Sequence, residues 1–409
     1  MLTLGVAMWI VVPAPTRWLL PLGVGAPEVG APLAIVALLA LLLSLVDWRM
    51  ARAARVASGI AALALCLSLS PLLQFDGIAR KAQREMQDAF GAAYETDSAP
   101  AAAAPHRAKP LMYRQLFTGL PSESARVVRD VSFATSGGET LTMDIYHPPL
   151  ADSRRAVLPV IVQVYGGAWQ RGEPSDFSGF AAYFAARGYV VFALDYRHAP
   201  VHRFPAQLDD VRTALAWIGA HSAQYGADTS RMILLGRSAG AHLAMLAAYA
   251  PGAPAVRGVV SLYGPVDLAE GYRRPPSPDP LDVRAIERAF LGGTPDDMPD
   301  RYRDASPVAY ASQRQPPTLL IYGGRDHIVE SRFGRQLRDS LRGAGNTVVH
   351  VEIPWAEHAF DAVPNGPSAQ LSLYVAERFI GWAVSGPNAR PRTRPTPEPA
   401  RTQDQSRIQ

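Results

Sequence analysis

Cysteine is all but missing from this 409-residue chain: the single residue, Cys66, stands inside an apolar run. No disulfide can form within the chain and no cysteine cluster can hold a metal, while oxidising and reducing compartments both stay open. An excess of charge is missing too. Forty basic residues face 36 acidic ones, for a net charge of +4, and only Lys81 and Lys109 are lysines. A balance this even does not describe a nucleic-acid-binding surface. Neither a metal nor a cofactor is expected.

What the chain has in abundance is apolar sequence, in two forms. The first fills residues 1–75. Val29 to Trp48 is centred on LAIVALLALLLSLV, and Val56 to Phe75 reads VASGIAALALCLSLSPLLQF; each is near the ~20 residues a helix needs to cross a bilayer. Leu2 to Val24 is a weaker third candidate, interrupted by Pro13, Pro15 and Arg17. It lacks the basic n-region of a signal peptide. Arg49, Arg52 and Arg55 lie in the short loop between the two strong segments. Basic residues in short loops stay cytoplasmic, so the chain after Phe75 is expected outside the cytoplasm, held by the lipid bilayer. Buried helices of a soluble domain are the rival reading. Residues 76–121 read as a polar helix followed by an Ala/Pro linker, SAPAAAAPHRAKP, and residues 385–409, rich in Pro, Arg, Thr and Gln, read as disordered.

The second form occupies residues 122–384. Val127 to Phe133 and Thr140 to Tyr146 suggest a hairpin turning at Ser136-Gly137-Gly138. Short runs rich in Val, Ile and Leu follow at Val160–Tyr165, Val190–Leu194, Met232–Leu235, Val259–Leu262, Thr318–Tyr322 and Val348–Ile353. Amphipathic stretches separate them. Runs of this kind suit strands covered on both faces, so the fold class is α/β, a mostly parallel sheet with helices on each side.

Chemistry enters at Gly236-Arg237-Ser238-Ala239-Gly240, between an apolar strand and a helical AHLAMLAAYA. The G-x-S-x-G pentapeptide alone is a weak signal, and strand before with helix after makes it strong. A serine on so tight a turn needs small flanking residues, and the helix beginning beside it aims free N–H groups at any oxyanion formed there. Serine is a poor nucleophile until a base takes its proton and an acid orients that base. Asp326 ends the Thr318–Tyr322 run and His358 follows the next run, in the order the chemistry expects. Ser238, Asp326 and His358 are therefore the expected catalytic residues. Gly166 and Gly167, after the Val160 run, are expected to shape an oxyanion hole whose donors are the N–H groups of Gly167 and Ala239. His242, four residues past Ser238 on one helix face, reads as a packed histidine. His198 and His202 read as wall or loop-support residues, Asp195 precedes the nucleophile and is a poor triad acid, and His327 has no place in the pattern.

The ordered motifs YGGAW, DYRHAP with FPAQLDDV, GRSAG, YGPVDL, GGRDHIV and EHAF resemble the α/β-hydrolase carboxylesterases of the hormone-sensitive-lipase-like branch and its formamidase-like relatives. The resemblance covers about Val127 to Trp382. It implies an α/β-hydrolase fold with an eight-stranded sheet, a small cap built from residues 268–309, and hydrolysis of short or medium acyl or aryl esters, small molecules, without a cofactor. An amidase or formamidase using the same triad, and a non-catalytic binding protein, remain open. Two positions depart from the family pattern: Tyr165 stands where HGG has its histidine, and Arg237 precedes the nucleophile.

Overall fold

A computed structural model describes residues 2–46, 52–91, 106–121, 124–149 and 157–385. Arg49, most of the Ala/Pro stretch and the tail from Gly386 lie outside the described residues.

One eight-stranded sheet organises the chain, in the order β1-β2-β4-β3-β5-β6-β7-β8. The hairpin is β1 (Arg126–Ser136) and β2 (Glu139–His147), turned by Gly137 and Gly138 at φ of 59° and 84°, a region open to glycine at little cost. Beyond it, β3 (Leu158–Val164), β4 (Val190–Leu194), β5 (Ala227–Arg237), β6 (Gly258–Leu262), β7 (Thr318–Gly323) and β8 (Val348–Ile353) pair in parallel. Every residue of β3, β4, β6 and β7 is buried. That is why these runs lack the apolar/polar alternation of a half-exposed strand. Covering helices show the complementary pattern. Ser331–Gly343 buries Phe333, Leu337 and Leu341, four apart on one stripe. Ala239–Tyr249 is buried along its whole length, and its alanines and glycine let it lie close beneath the sheet.

The N-terminal region, expected to hold two or three membrane-spanning helices, is less regular than that. Leu2–Val24 contains no continuous helix: the chain breaks around Pro13 and Pro15, and a short helix, Leu20–Glu28, meets Gly30–Val46 at 78°. Arg52–Phe90 is long and apolar enough to cross a membrane, and the bent pair provides a second such unit only when taken as one. Small residues bring the two long helices together: Gly30, Ala31, Ala34 and Ala37 are buried on one, Ser58, Ala61, Ala64 and Ser68 on the other. A Cβ on Gly30 would come within 2.5 Å of the Ser68 carbonyl oxygen. Close backbone approach of this kind is how helices associate where apolar burial gives no drive.

The boundary expected at residue 75 is not a break in the structure. The helix runs through it for 39 residues, about 58 Å at 1.5 Å per residue, roughly twice the hydrocarbon thickness of a bilayer. Its second half rests on the α/β region. Phe75 packs on Trp355, Gln83 donates to the Tyr374 hydroxyl at 2.9 Å, Glu85 pairs with Arg342 at 2.7 Å, and Phe90 stacks on Trp382 at 4.0 Å between centroids. The end of the expected linker is also fixed: buried Arg107 donates to Gln370 at 2.7 Å and its backbone N–H to Glu377 at 3.0 Å.

Candidate active site

The turn from β5 into Ala239–Tyr249 holds Ser238 at φ 51° and ψ −122°, a conformation costing about 1–3 kcal/mol and kept only where the surroundings impose it. Those surroundings explain the flanking glycines. A Cβ on Gly236 would lie 2.3 Å from the Gly240 carbonyl oxygen, and one on Gly240 would lie 2.2 Å from the carbonyl oxygens of Val164 and Tyr165. The Ser238 N–H donates to Leu262 O on β6 at 2.9 Å, which fixes the direction of the side chain.

Parallel strands carry their following loops to one edge of the sheet, and there β7 and β8 deliver the partners. His358 Nε2 stands 3.0 Å from Ser238 Oγ, and His358 Nδ1 2.7 Å from Asp326 Oδ2. The other oxygen of Asp326 accepts the N–H groups of Ile328 and Val329 at 2.8 and 2.7 Å. A carboxylate so engaged only accepts, so Nδ1 carries the imidazole proton and Nε2 is free to accept from the serine hydroxyl. Burial favours neutral imidazole, yet the charge of Asp326 and its hydrogen bond outweigh this and raise the His358 pKa above its ordinary value. Burial raises Asp326 as well.

Gly166, Gly167, Ser238, Ala239 and His358 line one cavity of about 690 Å³. A Cβ on Gly166 would press on the Arg237 carbonyl oxygen at 2.8 Å, and Gly167, at φ 135°, faces the Arg171 carbonyl oxygen where a Cβ would stand 2.0 Å away. Both positions therefore require glycine, and the expected oxyanion loop lies beside the nucleophile.

Tyr165, which stands where the HGG pattern has its histidine, is held by hydrogen bonds to the loop after β4. Its hydroxyl donates to Asp195 Oδ1 at 2.5 Å and lies 2.9 Å from His198 Nε2. Having given its one proton to the carboxylate, it accepts from the imidazole. Burial, with the neighbouring Tyr196 and Asp195, pushes the phenol pKa far up. Asp195 and His198 thus meet on the Tyr165 hydroxyl, away from Ser238. His202 pairs with Glu139 on the hairpin at 3.1 Å, and buried His242 accepts from the Trp169 indole at 3.2 Å while donating to Ala305 O at 2.6 Å. Burial lowers its pKa to about 4. Both His242 nitrogens are thereby committed away from Ser238.

Three features escape a reading of the sequence. Glu357, buried, accepts the backbone N–H groups of His327 and His358 at 2.7 and 2.9 Å and pairs with the His327 ring at 2.6 Å. It clasps the two loops that carry Asp326 and His358, and so gives His327 its place. Arg237 is buried against Phe177 and Phe180, 4.2 and 4.3 Å from their ring centroids, and pairs with Asp361 at 2.5 Å. Asp361 also accepts from the Tyr263 hydroxyl. Lastly, the cavity wall includes Trp18, Leu20 and Val24 from the N-terminal region, together with Leu281 and Ile286 of the 268–309 insert. Only EHAF carried a local hint of the first feature; the other two pair residues more than a hundred positions apart.

A BD-FAE family model matches residues 143–341. Two proteins of Mycobacterium tuberculosis are similar to the chain: the probable carboxylic ester hydrolase LipM is 31% identical over 61% of this chain and 60% of its own, and the esterase LipQ is 32% identical over 63% and 60%. The chain thus spans about three-fifths of the length of these relatives. Among solved structures, a truncated carbohydrate esterase from gut microbiota superposes with a TM-score of 0.54 at 22% identity, over 64% of this chain and 97% of that one. A propionate-bound esterase from Thermogutta terrifontis superposes with a TM-score of 0.51 at 23% identity, over 63% and 93%. At these identities the structural likeness speaks to the fold.

Proposed function

We propose that the chain is a serine ester hydrolase of the α/β-hydrolase type, held at a membrane by its N-terminal helices. The observation that carries the reading is the relay Asp326–His358–Ser238, with spacings of 2.7 and 3.0 Å at the end of a strained strand-to-helix turn.

Ser238 Oγ attacks the ester carbonyl as His358 Nε2 takes its proton. Asp326 keeps the ring in the required tautomer and stabilises the imidazolium. The oxygen of the tetrahedral intermediate is held by the N–H groups of Gly167 and Ala239, the latter opening an 11-residue helix whose dipole favours negative charge there. His358 then protonates the departing alcohol; water deprotonated by the same imidazole attacks the acyl-enzyme, the acid leaves, and the proton returns to Ser238 Oγ. The resemblance puts short and medium acyl or aryl esters within reach of this chemistry, and the M. tuberculosis relatives support ester over amide substrates. Arg52 and Arg55 before the long span favour an extracytoplasmic catalytic region.

A fluorophosphonate probe is expected to label the wild-type chain and not Ser238→Ala, and Ser238→Ala is expected to lose at least about 10⁴-fold in kcat. Turnover near wild type in that variant would remove the reading, and absence of labelling together with no turnover of any ester or N-formyl aryl amine would reduce it to a binding protein. For orientation, a reporter fused after Lys109 is expected to be active only outside the cytoplasm, and a cytoplasmic signal would reverse it.

A further inference from the structure

The cavity over Ser238 is larger and more apolar than a short acyl group requires, and part of its wall comes from the membrane region. We propose that it receives the hydrocarbon chain of an acyl ester dissolved in the bilayer, and that the segment 17–25 is the wall along which that chain enters. This rests on the serine-hydrolase reading and adds a substrate class to it.

Volume is the first argument. About 690 Å³ falls within the roughly 300–1,000 Å³ of pockets that bury drug-sized ligands, and would otherwise hold on the order of twenty waters. Leu20, Val24, Leu281, Ile286, Ile328 and Phe333 all line it. Water against walls of this kind is readily displaced by methylene groups.

Continuity is the second. The wall helix Leu20–Glu28 is joined through Val29 alone to Gly30–Val46, whose outer face exposes Ile35, Val36, Leu39, Leu42 and Leu43. Exposed apolar residues so numerous on one helix face mark a surface for lipid. The wall helix itself is two-sided: Leu20 and Val24 line the cavity while Leu22 is 41% exposed, and Trp18, 82% exposed, carries the Arg17 guanidinium 5.3 Å from its ring. An aromatic and a basic residue together are the usual occupants of a bilayer interface. Attachment is the third. Buried Glu28 accepts the Ser368 N–H at 3.0 Å, and Arg325 donates to the Val11 carbonyl. The wall helix is thereby tied to the first turn of the helix Pro367–Ser385, and the chain ahead of it to the loop after β7, which carries Asp326.

The test uses the full chain reconstituted in phosphatidylcholine vesicles, with p-nitrophenyl esters from acetate to dodecanoate and fluorophosphonate labelling as an independent readout of Ser238. Burial of one methylene corresponds to about fourfold at most, so kcat/KM is expected to climb on the order of 100-fold from butyrate to octanoate. A profile that is flat or falls beyond butyrate, with labelling and acetate hydrolysis intact, would overturn the proposal alone. Loss of labelling together with all ester hydrolysis would remove the serine-hydrolase reading and the proposal with it. Leu20→Asp is expected to lower the dodecanoate-to-acetate ratio of kcat/KM at least tenfold. Val24→Phe, which narrows the cavity without introducing charge, gives the same result should Leu20→Asp not fold; an unchanged ratio would overturn the wall assignment. Raising the lipid content at fixed dodecanoate ester is expected to hold or increase turnover, whereas inhibition, with the bilayer withholding substrate, would overturn delivery from the membrane.

Discussion

Replacing Glu357 by Gln isolates the contribution of the clasp between the two catalytic loops. The carboxylate accepts three hydrogen bonds, from the N–H groups of His327 and His358 and from the His327 ring. Glutamine is nearly isosteric and keeps one oxygen for the two backbone donors, while its amide nitrogen faces the ring. Charge-assisted bonds, worth about 1.5–3 kcal/mol each, become neutral ones worth about 1 kcal/mol. A loss of ~2 kcal/mol in stability follows, or roughly 4–8 °C in Tm for a domain of this size. Catalysis responds in two separable ways. The His358 backbone N–H loses its charged anchor, and drift of the imidazole by up to about 1 Å costs as much as 10²-fold; we expect the plateau kcat/KM to fall about tenfold. Glu357 also contributes to raising the His358 pKa, after the larger effects of burial, which opposes, and Asp326. The base works as neutral imidazole, so activity is present above the folded His358 pKa and lost as pH falls through it. With the raised value, the acid limb of the wild type stands above the ordinary ~6.5. Removing the Glu357 charge weakens that rise and moves the limb to lower pH. A full pH profile of kcat/KM on an activated ester, paired with thermal unfolding, reads both effects. A limb that stays in place or moves to higher pH, with Tm unchanged, would refute the clasp.

Tyr165→Phe removes the donor to Asp195 and the acceptor for His198; we expect destabilisation of about 1.5–3 kcal/mol and a fall in kcat exceeding any rise in KM, measured by urea unfolding and steady-state kinetics. Arg237→Met strands the buried Asp361 carboxylate and is expected to cost about 3–5 kcal/mol, partly restored in the double variant with Asp361→Asn; a denaturant midpoint within error of wild type would contradict the pairing. Gly240→Ala would drive a methyl into the β3 carbonyl oxygens, and we expect little folded protein, read as loss of soluble or detergent-extracted yield.

The strand runs were legible because fully buried parallel strands need continuous Val, Ile and Leu, and the helices because a 3.6-residue stripe leaves a different mark. Ser238 was legible for a related reason: a serine on a strained turn forces glycine on either side, and that constraint is local. The order of the β5, β7 and β8 loops then placed Asp326 and His358 at the edge that holds Ser238, since parallel strands end on one side. Tyr165 illustrates the limit. It was recognisable as a departure from HGG, but the partners of its hydroxyl, Asp195 and His198, are thirty or more residues away and meet it only through the β3–β4 pairing.

The N-terminal region shows the limit most fully. Hydropathy measures how apolar a segment is and says nothing about what it touches, so Leu2 to Val24 read as a weak span. Only the folded chain, through the break near Pro13 and Pro15, the 78° bend after Glu28 and the Glu28–Ser368 hydrogen bond, brings part of that segment to the cavity. The sequence alone therefore determined the sheet, the turn at Ser238 and the order of Ser238, Asp326 and His358, because each is imposed by local sterics or strand direction. The walls of the cavity, the clasp at Glu357 and the pairing of Arg237 with Asp361 were decided by tertiary contact, because burial and electrostatic complementarity act between residues whose separation along the chain carries no signal.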